Sequence, residues 1–337
     1  MLRLAVPSKG EMEEPTLYFL ASCGLQVDRP NVRQYAARIR GLPDVVVLFQ
    51  RASDIVSKVE EGAVDLGITG LDIVYEGQKE GSDLLVVIED LGYSRCELVL
   101  AVPDSWIDVT SVSDLIDLSM AWREEARELR IATKYPRLTQ QFLFSQGLFH
   151  FTLEESSGAM EVAPTMGYAD LIADLTSSGT TLRENRLKTI GGGTILRSQA
   201  CLVANLRLLK ESPAKVKTTE CLLELMEARL RATGYFSVTA NIQGDSPEAV
   251  AQHLMSRPEV AGIQGPTVAK VFSKFSQVQD WYAVTVVVPT EMVVKAVQHL
   301  REIGGSGITV FSANYVFEGA SQHFQRLKAA LGRSKSL

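Results

Sequence analysis

The strongest constraint on the fold is an alternation of strand and helix patterns through the first two hundred residues. Gly24 is expected to end the first helix, and Ser53 is expected to cap the second. Buried strands are predicted where the chain is apolar, at residues 2–6, 45–49, 98–102 and 130–133. Because strands and helices that alternate along a chain form layered domains, the sequence predicts an α/β fold.

A repeated segment divides this alternation into two halves. Both copies contain the pattern G-x-x-D-L, in Gly62-Ala63-Val64-Asp65-Leu66 and Gly167-Tyr168-Ala169-Asp170-Leu171. Each copy follows a helical segment and leads into a strand and then a polar loop. Two similar halves favour two α/β lobes that face one cleft, and a coincidence between two buried strands is the alternative.

The pattern changes near residue 215. Ser246 is predicted to cap a helix that has Pro247 at its first position, and a later helix is predicted from Thr290 to Gly304. Together with strands at 236–242, 268–272, 282–288 and 308–311, the order is β-α-β-β-α-β, which is typical of a ferredoxin-like module. The predicted domains are a first lobe at 1–95 and 190–214, a second lobe at 96–189, and a C-terminal domain with a tail at 215–337.

Charge and cysteine content exclude several classes of protein. The net charge is −6 and no long basic block occurs, so neither nucleic acid nor an anionic membrane is expected as the main partner. No basic leader or long apolar run is present, which favours a cytoplasmic protein. The four cysteines are scattered, which argues against a disulfide framework or a zinc site: Cys23, Cys96, Cys201 and Cys221.

A polar loop after the apolar strand of the second lobe carries the strongest chemical signal. Its residues are Ser177, Ser178, Gly179, Thr180 and Thr181, and a helical pattern follows. Small residues let a ligand approach the backbone, and amides at the start of a helix attract anions, so the loop is suited to a phosphate. A capped turn that binds no ligand stays open as the alternative.

Short motifs recur in a fixed order along almost the whole chain. Around the polar loop they are Glu161-Val162-Ala163-Pro164, Gly167-x-Ala169-Asp170, Asp174-Leu175 and Ser178-Gly179-x-Thr181-Leu182. Elsewhere they are Pro7-Ser8-Lys9-Gly10, Asp65-Leu66-Gly67-Ile68-Thr69-Gly70, Arg130-Ile131-Ala132-Thr133-x-Tyr135-Pro136, Gly265-Pro266-Thr267 and Gly304-Gly305-Ser306-Gly307-Ile308. Together they resemble the ATP phosphoribosyltransferases, in the long, histidine-regulated form, and are most similar to plant-type members.

The resemblance implies a fold, a reaction and partners. The fold is a periplasmic-binding-protein-like catalytic core of two lobes, followed by a ferredoxin-like regulatory domain. The reaction begins histidine biosynthesis: N1 of the adenine of ATP attacks the anomeric carbon of phosphoribosyl pyrophosphate (PRPP), and pyrophosphate leaves. Mg²⁺ enters with the substrates and not through a protein-built metal site. Histidine is the implied inhibitor, homo-oligomers (dimers and hexamers) are the implied assembly, and a plastid is the alternative location if a transit peptide has been removed.

Site residues follow from the same resemblance by position. The implied catalytic residues are Lys9, Glu161 and Asp174. The implied PRPP-binding residues are Asp174, Ser177, Ser178, Gly179, Thr180, Thr181 and Arg51. The residues implied to line the cleft near ATP are Thr69, Gly70, Asp72, Asp90, Leu91, Gly92, Lys134 and Tyr135. Histidine is implied at Gly304, Gly305, Ser306 and Gly307, where Gly305→Asp is expected to exclude it.

One departure from the family and one competing function stay open. The family has arginine where this chain has Glu11, so either Glu11 points outward or another cation takes the place of that arginine. Two lobes around a cleft also fit a non-catalytic protein that binds or senses a small molecule, because such scaffolds carry many functions.

Overall fold

A computed structural model describes residues 1–31, 33–79, 81–155, 160–272 and 280–333. The chain divides into two compact units, Met1–Thr219 with Arg326–Leu337, and Glu220–Gln325. The elements of the larger unit are β1 (Leu2–Pro7), α1 (Glu13–Ser22), β2 (Val27–Asp28), β3 (Ala36–Ile39), β4 (Leu42–Gln50), α2 (Ala52–Glu60), β5 (Leu66–Gly70), α3 (Leu71–Gly77), β6 (Leu84–Ile88), β7 (Cys96–Pro103), α4 (Val112–Glu124), β8 (Leu129–Thr133), α5 (Pro136–Gln146), β9 (Phe151–Glu155), α6 (Ala163–Met166), β10 (Leu171–Thr176), α7 (Thr180–Glu184), β11 (Leu187–Ser198), β12 (Ala200–Asn205) and α8 (Leu206–Lys210).

The first lobe is built on a sheet that, within the described residues, has seven strands in the order β2-β3-β4-β1-β5-β12-β6. Its centre is parallel, because β1 pairs with β4 on one side and with β5 on the other. Strands β1 and β5 are almost entirely buried, while β4 alternates buried and partly exposed residues, and Leu4, Val47 and Ile68 lie in the core. Strands buried on both faces are rich in apolar residues, which explains why the sequence pattern located them correctly.

The second lobe has its own sheet, which in the described part of the chain comprises five strands in the order β11-β7-β10-β8-β9. Strands β8, β9 and β10 are parallel, whereas β7 runs antiparallel to both of its neighbours, β10 and β11. Leu100, Ile131 and Leu171 are fully buried in the core on this sheet. The predicted α/β core of two lobes is therefore confirmed.

The chain crosses between the lobes twice, and the two crossings lie side by side. One crossing is residues 89–95, between β6 and β7, and the other is Gln199, between β11 and β12. The amide of Leu91 donates to the carbonyl of Ala200 at 2.9 Å, and the amide of Ala200 donates to the carbonyl of Tyr93 at 3.1 Å. The lobe boundaries stay a prediction. Residues 190–198, which were predicted to belong to the first lobe, are part of β11, and β11 pairs in the second sheet.

The smaller unit contains the predicted β-α-β-β-α-β order. Its elements, with the helices on either side, are α9 (Pro213–Ala232), β13 (Tyr235–Gly244), α10 (Pro247–Met255), β14 (Thr267–Val271), β15 (Asp280–Pro289), α11 (Val293–Glu302), β16 (Ser306–Ser312) and α12 (Gln322–Arg333). The strands are antiparallel in the order β14-β15-β13-β16, which is the ferredoxin-like arrangement. This part of the predicted fold class is also confirmed.

Helix starts were predicted less accurately than the helices themselves. Ser246 does cap α10, since its hydroxyl accepts from the amide of Ala249 at 3.1 Å. The predicted cap Ser53 is wrong, because α2 begins one residue earlier, at Ala52. Thr290 is also wrong as a cap, because it lies in a short 3₁₀ helix, Thr290–Met292, that precedes α11.

Candidate active site

Polar residues collect where parallel strands of both sheets end. In the first lobe, Lys9 follows β1 and Arg51 follows β4, while α3 starts directly after β5. In the second lobe, Lys134 and Tyr135 follow β8, and the loop of residues 177–181, hereafter the hydroxyl loop, follows β10. The carboxyl ends of parallel strands meet at one edge of a sheet, and such edges are where α/β proteins bind ligands.

A cleft of about 590 Å³ lies between these strand ends. Both lobes line it, with Gly70 and Asp72 from the first and Tyr135 and Glu161 from the second. The hydroxyl loop contributes Ser177, Ser178, Thr180 and Thr181. The structure therefore brings together residues that lie more than a hundred positions apart and that the sequence assigned separately to PRPP and ATP.

The hydroxyl loop is held in shape by its own side chains. The amide of Gly179 donates to the hydroxyl of Thr176 at 2.9 Å, and Ser178 donates its hydroxyl to Thr180 Oγ1 at 3.0 Å. Gly179 has φ of +70°, a left-handed conformation that favours glycine, and α7 begins at the next residue. The loop is thus a preformed turn rich in hydroxyl groups at the edge of the cleft.

Two carboxylates stand near this loop. Asp174 precedes the cleft-lining Leu175, whose amide donates to Asp174 Oδ1 at 2.8 Å. Burial raises the pKa of Asp174; the Leu175 amide and the positive charge of Lys134 act in the opposite direction, and Glu161 adds to the rise. The predicted catalytic pair Asp174 and Glu161 is therefore close enough to interact, beside the loop rather than within it.

A buried carboxylate of the first lobe binds two groups of the second. Asp72 is 3% exposed, and it accepts from the hydroxyls of Ser198 at 2.6 Å and Tyr135 at 2.7 Å. Burial, and then the negative charge of Asp72, raises the pKa of Tyr135, so this phenol stays protonated and donates. Asp72 and Tyr135 line the cleft as predicted, but each is also a structural contact between the lobes.

Lys9 and Arg51 line a separate cavity of about 290 Å³, together with Ser8, Phe49 and Asp54. This cavity shares no lining residue with the cleft. The structure therefore places the two predicted cations together at the ends of β1 and β4, on the first lobe, while the hydroxyl loop is on the second.

Some predicted cleft residues support the site from behind. Thr69 is fully buried and donates its hydroxyl to the carbonyl of Ala52 at 2.9 Å, and Leu91 is 1% exposed. Both side chains are turned into the core of the first lobe and neither residue lines the cleft described above, so their predicted role there stays a prediction. Asp90 lines a neighbouring cavity of about 440 Å³. The amide of Gly92 donates to the carboxylate of Asp90 at 2.7 Å.

Several cleft residues were not identified from the sequence. Tyr93 and Arg95, on the crossing between the lobes, and Cys96, the first residue of β7, line the cleft. Burial raises the pKa of the Cys96 thiol to about 11, so it is not a reactive thiolate at neutral pH. Arg183, on α7, donates to the carbonyl of Ser178 at 3.2 Å and to Thr180 Oγ1 at 3.1 Å. Arg183 follows Ser178 by five residues and Thr180 by three. This helical spacing is the only sequence signal that could have indicated its contact with the loop.

Glu11, the departure from the family pattern, is one of the residues that line the cleft. Arg95 lines the same cleft, where it forms an ion pair with Asp90 at 2.9 Å. A cation is therefore present in the cleft that contains Glu11, on a segment where the sequence analysis did not expect it.

The glycine turn of the C-terminal unit closes the end of α11. Gly304 has φ of +84°, and its amide donates to the carbonyl of Arg301 at 3.1 Å. The amide of Gly305 donates to the carbonyl of Leu300 at 2.7 Å. These two amides therefore satisfy carbonyls at the helix end, which is the usual role of glycine there. A Cβ at Gly305 would lie 2.5 Å from Leu300 O, so Gly305→Asp would disturb the helix end itself.

Comparison with known families identifies the protein family to which this chain belongs. The profile of the HisG family, described as ATP phosphoribosyltransferase, matches residues 51–228, which is more than half of the chain. The chain belongs to the ATP phosphoribosyltransferase family. A second profile of the family, the HisG C-terminal domain, matches residues 232–315 and covers the ferredoxin-like module.

Individual members of the family match along nearly the full length. ATP phosphoribosyltransferase 2, chloroplastic, from Arabidopsis thaliana is 42% identical over 98% of this chain and 81% of its own length. ATP phosphoribosyltransferase from Bradyrhizobium sp. (strain ORS 278) is 36% identical over 98% of both chains. This protein is therefore a phosphoribosyl transferase of the first step of histidine biosynthesis, and the non-catalytic alternative is excluded.

A solved structure agrees with this family assignment. A chain of the ATP phosphoribosyl transferase (HisG:HisZ) complex from Thermotoga maritima matches with a TM-score of 0.51 and 28% identity. The match covers 67% of this chain and 99% of that chain. Among the described residues, no helix is both long enough and apolar enough to cross a membrane.

Proposed function

We propose that the cleft binds PRPP through the hydroxyl loop and ATP through the facing surface of the first lobe. The observation that carries this proposal is the preformed loop, in which Gly179 adopts a left-handed conformation and hydroxyls surround the turn. Such a turn offers donors to the 5′-phosphate at close range. Asp174 and Glu161, next to the loop, face the ribose.

The reaction requires two substrates to be brought into line. The bond from adenine N1 to the anomeric carbon forms while the bond to pyrophosphate breaks, and the electron pair of that bond leaves with pyrophosphate. Positive charge develops on the ribose, and the carboxylates of Asp174 and Glu161 stabilise it. Catalysis by this enzyme therefore depends on position and electrostatics and not on a covalent nucleophile.

Pyrophosphate is assigned to Lys9 and Arg51 at the strand ends of the first lobe. Both are cations at the same cavity, and a lysine ammonium and an arginine guanidinium are the usual partners of phosphate groups. In this assignment the leaving group is drawn towards the first lobe, away from the ribose that the second lobe holds.

Mg²⁺ is assigned to the substrates. No group of three or more His, Cys, Asp or Glu side chains that could hold a metal ion occurs within residues 1–31, 33–79, 81–155, 160–272 and 280–333. Mg²⁺ needs only one or two carboxylates when phosphates supply the other ligands, and Asp174 fits that role. When bound, the ion would neutralise charge on the departing pyrophosphate.

A titration with ribose 5-phosphate, which has the 5′-phosphate but no pyrophosphate, tests these assignments. The wild type should bind it, Gly179→Val should lose most of this affinity, and Lys9→Ala should keep it while losing affinity for PRPP. Unchanged binding of ribose 5-phosphate by Gly179→Val would place the 5′-phosphate elsewhere. A pyrophosphate-release assay with ATP and PRPP tests the reaction itself.

Inhibition by histidine, acting through the C-terminal domain, is the regulation that we propose. Ser306 is exposed next to the glycine turn, so Ser306→Asp adds a charge there without displacing the helix end. We expect histidine to inhibit this variant at least about ten-fold less strongly than the wild type, since like charges repel the carboxylate of the ligand. Equal inhibition of both proteins would move the histidine site away from residues 304–307.

Assembly and location follow from the family. We propose homo-oligomers, dimers and hexamers, and sedimentation with and without histidine would test this. For location, the cytoplasm stays our prediction and a plastid the alternative, which the chloroplastic names of two Arabidopsis relatives favour.

A further inference from the structure

Helix α3 of the first lobe presents two carboxylates to the second lobe. Asp72 and Glu76 are four residues apart, so they lie on the same face of the helix, one turn from each other. Both reach the short segment that follows β8, at the start of α5. Glu76 was not among the residues that the sequence analysis identified.

Glu76 supplies the N-terminal cap that α5 lacks. Its two carboxylate oxygens accept from the amides of Arg137 at 2.9 Å and Leu138 at 3.0 Å. The residue at the N-cap position of α5 is Tyr135, whose side chain makes no capping bond, and Pro136 follows it. The first amides of a helix need an acceptor, and a negative charge there is stabilised by the helix dipole. In this enzyme the acceptor comes from the other lobe.

Two further contacts join the same segments. The guanidinium of Arg137 donates to the backbone carbonyl of Tyr75, the neighbour of Glu76. The phenol of Tyr135 donates to Asp72 at 2.7 Å, and Ser198, just before the crossing at Gln199, donates to the same carboxylate. The start of α5, from Tyr135 to Leu138, is therefore held by Asp72, Tyr75 and Glu76 of the first lobe.

We propose that Glu76, with Asp72, is a positioning residue that fixes the separation of the two lobes and so sets the alignment of the substrates. This inference rests on the proposed function, in which PRPP lies on the second lobe and ATP and pyrophosphate lie against the first. Glu76 is not among the residues that line the cleft. It acts through the start of α5 and through Tyr135, which lines the cleft.

The expected consequence is a loss of turnover with little loss of binding to the loop. In Glu76→Ala the first amides of α5 lose their acceptor, and the lobes are joined less tightly. Each lobe keeps its own phosphate contacts, but a displacement of about 1 Å between reacting groups can reduce the rate about a hundred-fold. We expect kcat to fall about ten- to a hundred-fold, while the affinity for ribose 5-phosphate stays within about three-fold.

The matched control is Asp114→Ala. Asp114 also caps a helix, because its carboxylate accepts from the amides of Thr110 and Ser111, but α4 and both partners lie within the second lobe. This variant likewise loses two amide-to-carboxylate hydrogen bonds at the start of a helix, but without touching the contact between the lobes. It should lower the melting temperature while leaving kcat within about two-fold of the wild type.

Amide hydrogen exchange provides a measurement that does not depend on activity. Exchange at Arg137 and Leu138 should accelerate in Glu76→Ala and stay unchanged in Asp114→Ala. Glu76→Gln, which retains one oxygen acceptor and most of the packing, should show the same changes to a smaller degree, and it replaces the alanine variant if that protein does not fold.

Two results would overturn the proposal. One is an equal fall of kcat in the Glu76 and Asp114 variants, which would mean that lost stability alone is responsible. The other is an unchanged kcat in Glu76→Ala despite faster exchange at α5. Failure of the proposed function is distinguishable, since it would appear in the wild type as absent binding of ribose 5-phosphate or absent release of pyrophosphate.

Discussion

Each lobe contains its own copy of the same supporting contact, in which an arginine binds an aspartate and the carbonyl of a glycine. In the first lobe, Arg3 donates its amide to Asp65 at 2.8 Å and its guanidinium to the carbonyl of Gly62 at 3.1 Å. In the second, Arg130 donates its amide to Asp170 at 2.9 Å and its guanidinium to the carbonyl of Gly167 at 2.8 Å. Both glycines have φ of +78°. The repeated G-x-x-D-L pattern is therefore one structural device used twice, and coincidence is excluded.

The lobes differ immediately after this shared contact. The strand that follows Asp65 leads straight into α3, which carries Asp72 and Glu76 towards the second lobe. The strand that follows Asp170 leads into the hydroxyl loop and a short helix. The same scaffold thus ends in carboxylates that join the lobes on one side, and on the other in the hydroxyl loop, which we propose to bind phosphate. The repeat therefore encodes the fold, whereas the unrepeated strand ends carry the residues to which we assign the chemistry.

The largest expected effect concerns the shared contact in the first lobe. Asp65 is fully buried and also accepts from Lys215 at 2.8 Å, so Asp65→Asn leaves two cations without their partner. We expect a loss of about 3 kcal/mol in the free energy of unfolding, measured by urea denaturation. The matched variant Asp170→Asn should lose about 1–2 kcal/mol, because its partners Arg127 and Arg130 are more exposed. Equal losses would show that burial does not distinguish the two lobes.

The next prediction concerns the unrepeated end of the second lobe. Gly179→Val should raise the KM for PRPP about a hundred-fold and change the KM for ATP much less, because a side chain at φ of +70° distorts the loop and obstructs the phosphate. Gly147→Val is the control, since Gly147 has φ of +87° at the end of α5, away from the cleft. Similar kinetics in the two variants would mean that strain, and not the loop, is responsible.

A third prediction concerns the first lobe's strand ends. Lys9→Ala should reduce kcat/KM roughly ten- to a hundred-fold, because a charge-assisted contact to phosphate is lost. Lys58→Ala is the control, an exposed lysine on α2 that pairs only with Glu61 in the described structure. Should Lys9→Ala stay within about two-fold of the wild type, Lys9 is a surface lysine and the first lobe does not hold pyrophosphate.

The smallest effect is a pH dependence that both lobes share. Burial opposes ionisation of Asp65 and Asp170, but hydrogen bonds from their arginines outweigh it and hold the pKa of each carboxyl below its ordinary value. Their stabilisation is therefore complete above about pH 5 and is lost as the pH falls through the lowered pKa. Urea denaturation between about pH 5 and pH 2 should show the difference between wild type and Asp170→Asn becoming smaller. A constant difference would mean that the carboxylate charge does not contribute.

Helix starts were predicted correctly from the sequence where two neighbouring residues both favour a helix start. Ser246 followed by Pro247 correctly located the start of α10, because the serine hydroxyl and the proline ring both suit a first turn. Ser53 failed as a cap, since its hydroxyl donates to the neighbouring Asp54. Thr290 failed because it begins a short 3₁₀ helix that precedes α11. The glycine turn after α11 was located correctly. The amides of Gly304 and Gly305, however, already donate to carbonyls at the end of α11.

Periodicity, turn residues and motifs are local properties of the chain, so they were sufficient to predict the α/β core, the ferredoxin-like module, the family and the position of the hydroxyl loop. Which side chains share a cleft, and which pack behind it, depends on contacts between distant segments. Thr69 and Asp72 are three residues apart, yet one is turned into the core while the other binds the second lobe. Glu76 carried no local signal at all, because its role depends on the start of α5, sixty residues further along the chain.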